Sequence, residues 1–241
     1  MNSTNTSENI NIWLSQINTD YKAALSVDCV IFGYTEADLY VAVIDCNMPP
    51  YEGLYSLVGD LVRPNENANE AAHRIVKQRT KLKDLYLEQV HTFTNVDRHP
   101  LGRVISIAYF SLIKLDEYWG KEPEDFPSMK WINVNEIDKL AFDHNEILDK
   151  CIAQLRDQIK AQPLGFNLLP KKFTLNQLQE LYEVILQIQL DKRNFRRKLL
   201  GFGMLQELDE YQQAVSHRPA KYYTFDKELF DKRKSEGFLF N

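Results

Sequence analysis

The sequence predicts an α+β chain: an N-terminal α/β/α sandwich followed by a C-terminal winged helix-turn-helix domain. Three observations predict it. Short apolar runs rich in β-branched residues alternate with helical patterns as far as about residue 160. Two prolines and a glycine in "AQPLGFNLLPKKF" (161–173) then break the pattern. Beyond them come two short helical stretches, the second densely basic, and two strand-like pieces. The expected partition is a tail at 1–20, a sandwich domain at 21–160 and a winged-helix domain at 161–241.

Residues 1–20 are polar, apart from the short amphipathic piece "INIWLSQI". "LSVDCVIFGY" (25–34) and "LYVAVIDC" (39–46), separated by the turn-like "TEAD", read as strands. A helix is expected over 66–80, where Ala and aliphatic residues fall at helical spacing. "VISIAYFSLI" (104–113) is a strand buried on at least one face, and "MKWINVNEI" (129–137) another. "EIDKLAFDHNEILDKCIAQLRDQIKA" (136–161) reads as helix, with Leu148, Ile152, Leu155 and Ile159 forming one stripe. In the C-terminal domain Thr174 and Gln177 stand as a capping box ahead of an apolar face of Leu178, Leu181, Tyr182 and Ile185. Asp191 is the N-cap of the next helix, Phe195 and Leu199 face inward, and Gly201 or Gly203 stops it. "LQELDEY" (205–211) and "RPAKYYTF" (218–225) form a β-hairpin wing around "QQAVSH".

Composition narrows the function. At 241 residues, 44% hydrophobic and 26% charged, the chain is an ordinary globular protein with mild net charge, −5. No apolar run approaches the ~20 residues of a membrane helix, and "MNSTNTSEN" lacks the features of a signal peptide. The expected compartment is the cytoplasm, with Cys29, Cys46 and Cys151 as reduced thiols. The five histidines fit no zinc-ligand spacing, and there is no GxxxxGK[ST] loop, so neither a metal nor a cofactor is expected.

Charge is distributed unevenly. Residues 163–203 hold seven basic and three acidic residues, +4 inside a chain of −5, which leaves −9 for the rest. Such asymmetry is the footprint of a polyanion. Five cations fall within the seven residues 192–198, on the presumed second helix. A double-stranded DNA operator is the expected partner. The N-terminal part of a recognition helix meets base edges, which here means Lys192, Arg193, Asn194 and Arg196. Arg193 and Asn194 suit guanine and adenine, while Arg197, Lys198 and Lys172 suit phosphates. Thr174 joins the DNA-binding set, and Arg218 and Lys221 on the wing suit minor-groove or backbone contact. Because two-fold proteins match palindromic operators, a homodimer is expected.

The stretch "GDLVRPNENANEAAHRIVKQRTKL" (59–82) resembles an eroded Nudix box. That box runs Gly, five residues, Glu, seven residues, then Arg-Glu-aliphatic-x-Glu-Glu-x-Gly-aliphatic. Glu66, Arg74, Val76 and Leu82 match it, Asp60 takes the first glycine position, and Ile75, Gln78, Arg79 and Lys81 depart from it. The flanks "LYSLVGD" and "DRHPLGRVISIAYFSLI" are similar to those of ADP-ribose pyrophosphatase-like Nudix domains. "GFNLLPKKFTLNQLQELYEVIL", "LDKRNFRRKLL" and "RPAKYYTF" resemble the winged helix of the Nudix-related transcriptional regulators, the NrtR- and AraR-like family. The resemblance covers nearly all of residues 23–225 and is nearest to the Bacteroidetes branch that holds the arabinose-responsive regulator.

What the resemblance implies is a ligand-responsive dimeric repressor with a binding cleft where a hydrolase would have its metal. Carboxylates at i, i+3 and i+4 of one helix hold divalent cations through hard oxygens. Ile75 offers no donor, Gln78 only a neutral carbonyl, and Arg79 a positive charge where the cation would sit. No enzymatic activity is therefore expected, and Glu66 reads as an exposed acid at the helix start. Phe93, Asp97, Arg98, Arg103 and Tyr109 are the candidate effector residues, with core packing the competing role for Phe93 and Tyr109 and a salt bridge for Arg103. His144 has both a structural and a functional reading. The expected effector is a carbohydrate such as L-arabinose; ADP-ribose or a related nucleotide, controlling NAD metabolism, is the alternative. Readings of another class are a Nudix hydrolase with a divergent metal site and a Nudix-like module binding RNA, protein or nucleotide without operator specificity.

Overall fold

Strand β1 (Ala24–Tyr34) pairs in parallel with β6 (Val104–Lys114) along its whole length, Ala24 opposite Val104 and Tyr34 opposite Lys114. The computed structural model describes residues 22–35, 37–100, 102–115, 129–161, 172–213, 219–226 and 228–229. The expected N-terminal tail and most of the proline-rich break lie outside these residues.

On the other edge of β1, β2 (Leu39–Asp45) and β4 (Val58–Leu61) each pair antiparallel with one half of the strand. β3 (Tyr55–Ser56) and β7 (Met129–Asn133) pair with β2, and β5 (Glu88–Phe93) pairs with β6, giving a seven-stranded sheet. Side chains alternate across a strand, so β1 feeds two cores. Val27, Cys29 and Ile31 pack against α1 (Ala68–Thr80) through Ala71, Ala72, Ile75 and Val76. Val30, Phe32 and Tyr34 pack on the opposite face with Leu148, Cys151, Leu155 and Ile159 of α2 (His144–Ala161). The expected sandwich and the α2 stripe are both present.

The C-terminal elements are β8 (Phe173–Thr174), α3 (Leu175–Leu186), α4 (Lys192–Gly201), β9 (Leu205–Tyr211) and β10 (Lys221–Phe225). The three strands form a separate sheet in the order β8-β10-β9. Its small core is Phe173, Leu178 and Leu199, flanked by Tyr182, Phe195, Leu205, Tyr223 and Phe225. Both expected N-caps form: the Thr174 hydroxyl accepts from Gln177 N, and the Asp191 carboxylate from Asn194 N. Gly203 takes φ 64° just past α4, as a helix stop requires.

Two sequence readings change. β3, β4 and β5 are strands beyond those the sequence predicts, each short or without clean alternation. The helix expected from residue 136 starts only at His144. Ahead of it Phe142 takes φ 56°, and the Asn145 side chain accepts from Leu140 N and donates to the Asp138 carbonyl, both at 2.8 Å. Local side-chain hydrogen bonds of this kind compete with helix.

Candidate functional site

α4 presents its charge outward. Lys192, Arg193, Asn194, Arg197 and Lys198 are exposed, while Leu199 is buried and Phe195 packs its ring on Tyr182 with centroids 5.2 Å apart. The i, i+4 apolar pair thus fixes which face stays wet. Arg197 Nη2 donates to Asn194 Oδ1 at 2.9 Å, so these two neighbours share a surface. Arg196 is half-buried instead; its Nη2 donates to Asn176 Oδ1 on α3 at 2.8 Å, and its Nε is buried without a partner.

The rest of the expected DNA set is placed differently. Thr174 is 1% exposed with its hydroxyl engaged in the cap of α3, so it holds the helix rather than reaching a ligand. Lys172 pairs with Glu210 at 2.6 Å, and Lys221 pairs with Glu207 and lies over the Tyr211 ring. Arg218 lies outside the described residues.

The eroded Nudix-box segment forms a cradle closed by its own ion pairs. Arg74 donates from Nε to Glu66 Oε2 at 2.8 Å and from Nη2 to Glu66 Oε1 and to the Leu61 carbonyl. Its Nη1 donates to Gln78 Oε1 at 3.1 Å. Glu66 is therefore not the exposed helix-start acid of the sequence reading: its side chain is 12% exposed, and Asn67 and Glu70 cap the helix instead. The hydrogen bonds from Arg74 hold the Glu66 carboxyl down at about 2. Arg79 Nη2 reaches Asp60 Oδ2 at 2.9 Å, so the cation at one departed position pairs with the acid at another. Ile75 is 1% exposed in the core under α1. These residues do not fit a divalent cation, which needs several converging hard oxygens. Among the described residues no group of three or more His, Cys, Asp or Glu is arranged to hold a metal ion. Lys81, where the box has its glycine, keeps the left-handed turn at φ 53° without one.

The five candidate effector residues do not converge on one surface. Phe93 belongs to the core on the α2 side of the sheet and Tyr109 to the core on the α1 side, where its hydroxyl donates to Asn69 Oδ1 at 2.6 Å. Asp97 is exposed, and Arg103 is half-buried with Nη1 on the Thr94 carbonyl at 2.6 Å. The Arg98 side chain is 3% exposed, and its Nε and Nη2 grip both oxygens of Asp143 at 2.8 and 2.7 Å.

Arg98 also opens onto a buried polar cluster that the sequence does not announce. Asp28 accepts from the Ser106 hydroxyl and lies 3.7 Å from Arg98 Nη2 and 3.5 Å from His144 Nε2. Burial holds the His144 imidazole below its ordinary value, and its Nδ1 accepts from Leu57 N at 2.9 Å. Both ring nitrogens of His144 thus face the protein's own groups. Gly59 faces this carboxylate across the β1–β4 pair; a Cβ there would lie 2.1 Å from Asp28 Oδ1. A lone acid inside the apolar run "SVDCVIF" was the available signal.

Residues 22–155 match the NUDIX domain family, and residues 165–225 match the NrtR DNA-binding winged helix domain. The chain is 32% identical over 218 residues to the ADPR responsive transcriptional repressor NtrR of Acinetobacter baylyi, across 88% of this chain and 86% of that one. Over 130 residues it is 30% identical to an ADP-ribose pyrophosphatase of Methanocaldococcus jannaschii, covering 53% of this chain and 75% of that protein. Its fold is that of Shewanella oneidensis NrtR crystallised with a 27mer DNA (TM-score 0.72, 24% identity, 90% of this chain and 97% of that one).

Proposed function

The chain belongs to the NrtR-like family, a Nudix domain followed by the NrtR winged helix, and we propose that it is a homodimeric, cytoplasmic, ADP-ribose-responsive transcriptional repressor. The observation that carries this reading is the 32% identity to an ADPR responsive repressor, which runs through both domains. The similarity of the first domain to an ADP-ribose pyrophosphatase supports the same effector. A sugar such as L-arabinose has no comparable support among these relatives, so the nucleotide alternative takes its place.

The cradle supports binding without hydrolysis. An ordinary Nudix centre converges carboxylates on a metal; here Ile75, Gln78 and the Arg79–Asp60 pair stand in those places. The exposed row on α4 supports contact with DNA, with Arg193 and Asn194 reading bases and Arg197 and Lys198 binding phosphates. Of the expected effector residues, Asp97 and Arg103 have surface to offer a ligand.

The test joins three measurements. ADP-ribose should raise the melting temperature, since a ligand at 100 times its Kd stabilises the native state by about 2.7 kcal/mol. L-arabinose should leave it unchanged. ADP-ribose should also alter affinity for an operator selected from random duplexes, and incubation with Mg²⁺ or Mn²⁺ should release no AMP. A thermal shift with L-arabinose alone would return the sugar reading, and robust AMP release would make the protein an enzyme.

A further inference from the structure

The C-terminal end of α3 is not compensated by its own sequence. A helix ends in carbonyls without intrahelical partners and partial negative charge, yet the last turn of α3 holds no basic residue. The cation comes from the other domain. Arg156 on α2 donates from Nε to the Ile185 carbonyl at 3.1 Å and from Nη2 to Gln187 Oε1 at 2.6 Å. Gln187 is the C-cap of α3 at φ 54°, and its own Nε2 donates to Asn135 Oδ1, just after β7, at 2.5 Å. Beneath this grip Leu181 and Ile185 are 1% and 0% exposed, in one cluster with Leu148, Leu155 and Ile159 of α2.

α3 in turn carries the DNA-reading helix. Across the helix-turn-helix corner, Leu190 N donates to Glu183 Oε1 at 2.8 Å and Gln179 Nε2 to the Leu190 carbonyl at 3.0 Å. Tyr182 packs against both domain cores and meets Phe195 of α4. At the far end of α2, Asp143 is the residue that Arg98 grips. One helix therefore has Arg98 at its start and the DNA-binding domain along its second half.

We infer that Arg156 is the positioning residue that fixes the helix-turn-helix on the effector domain, so that displacement of α2 is relayed to α4. The relay rests on the ADP-ribose reading, whereas the anchoring does not. Two full-length variants test it: Arg156→Ala, and Arg156→Lys, which keeps the charge but cannot make the two-point contact. Operator affinity is measured with and without saturating ADP-ribose. Coupled sites shift one another about 5–150-fold. In Arg156→Ala that factor should fall below about two, with Arg156→Lys between it and the parent and each ligand's separate affinity within about threefold. A parent-like factor in Arg156→Ala overturns the inference. If the parent shows no response to ADP-ribose, the functional reading fails, and hydrogen exchange decides the anchoring. The Gln187 and Ile188 amides, both bonded to the Glu183 carbonyl, should then exchange at least about tenfold faster in Arg156→Ala while α1 is unchanged. Unaltered exchange overturns it.

Discussion

α1 and α4 are both short helices that carry several cations, and they spend most of their arginines in opposite ways. On α1, Arg74 is claimed by Glu66, Gln78 and the Leu61 carbonyl, and Arg79 by Asp60. On α4, Lys192, Arg193 and Lys198 have no hydrogen-bond or ion-pair partner among the described residues, Arg197 hydrogen-bonds to its helix neighbour Asn194, and Arg196 alone is tied to α3 through Asn176. A cation matched within the fold is structure. One left unmatched is available to something outside it, and a row of them selects a polyanion.

The largest effect expected from this contrast lies in the sandwich domain. Arg98→Ala would leave Asp143 and Asp28 without their buried cation, and breaking a buried pair costs about 3–5 kcal/mol. Urea unfolding should show the unfolding free energy fall by that amount. A loss under about 1 kcal/mol would mean that this arginine is not structural and would reopen it as an effector contact.

On α4 the same kind of change should leave the fold alone. Arg193→Ala should alter stability by less than about 0.5 kcal/mol. It should cost about 1–3 kcal/mol on the operator and much less on random DNA. Arg197→Ala should weaken all duplexes alike and lower the salt slope by about one ion. Titrations at several salt concentrations separate the two. If both variants bind as the parent does, α4 is not the reader and the contrast fails.

The smallest effect is a pH dependence confined to the cradle. Glu66 titrates at about 2 in the folded chain against 4.5 for an ordinary glutamate. A depressed carboxyl contributes stability that is complete above about pH 4.5 and is lost as pH falls towards 2. Glu66→Gln should flatten that portion of the acid-unfolding curve, whereas Arg193→Ala should leave it as it is. An unaltered acid limb in Glu66→Gln would show that the Arg74 pair is already loose in solution.

Regular elements were legible because their periods are written locally. The α2 stripe, the capping box at Thr174 and Gln177, and the Asp191 cap each involve residues within about four positions or a repeat of them. β3 and β4, at two and four residues, are too short to show a period, and they exist because β2 and β1 offer them edges. The departures at Ile75, Gln78 and Arg79 were legible as losses. What Arg79 does instead was not, because its partner Asp60 lies 19 positions away.

The sequence by itself determined the two-domain order, the side of each helix that is buried and the concentration of free charge on α4. These follow from spacing along the chain, which sets what faces the same way. Only the tertiary structure decided that Phe93 and Tyr109 sit on opposite faces of one sheet, although each was a candidate for the same cleft. It also decided that Arg98 is spent on Asp143 and Asp28, and that Arg156 caps a helix of the other domain. A side chain's role is set by whichever charge or carbonyl the fold brings within about 4 Å of it, and in these cases that partner lies tens of residues away in the chain.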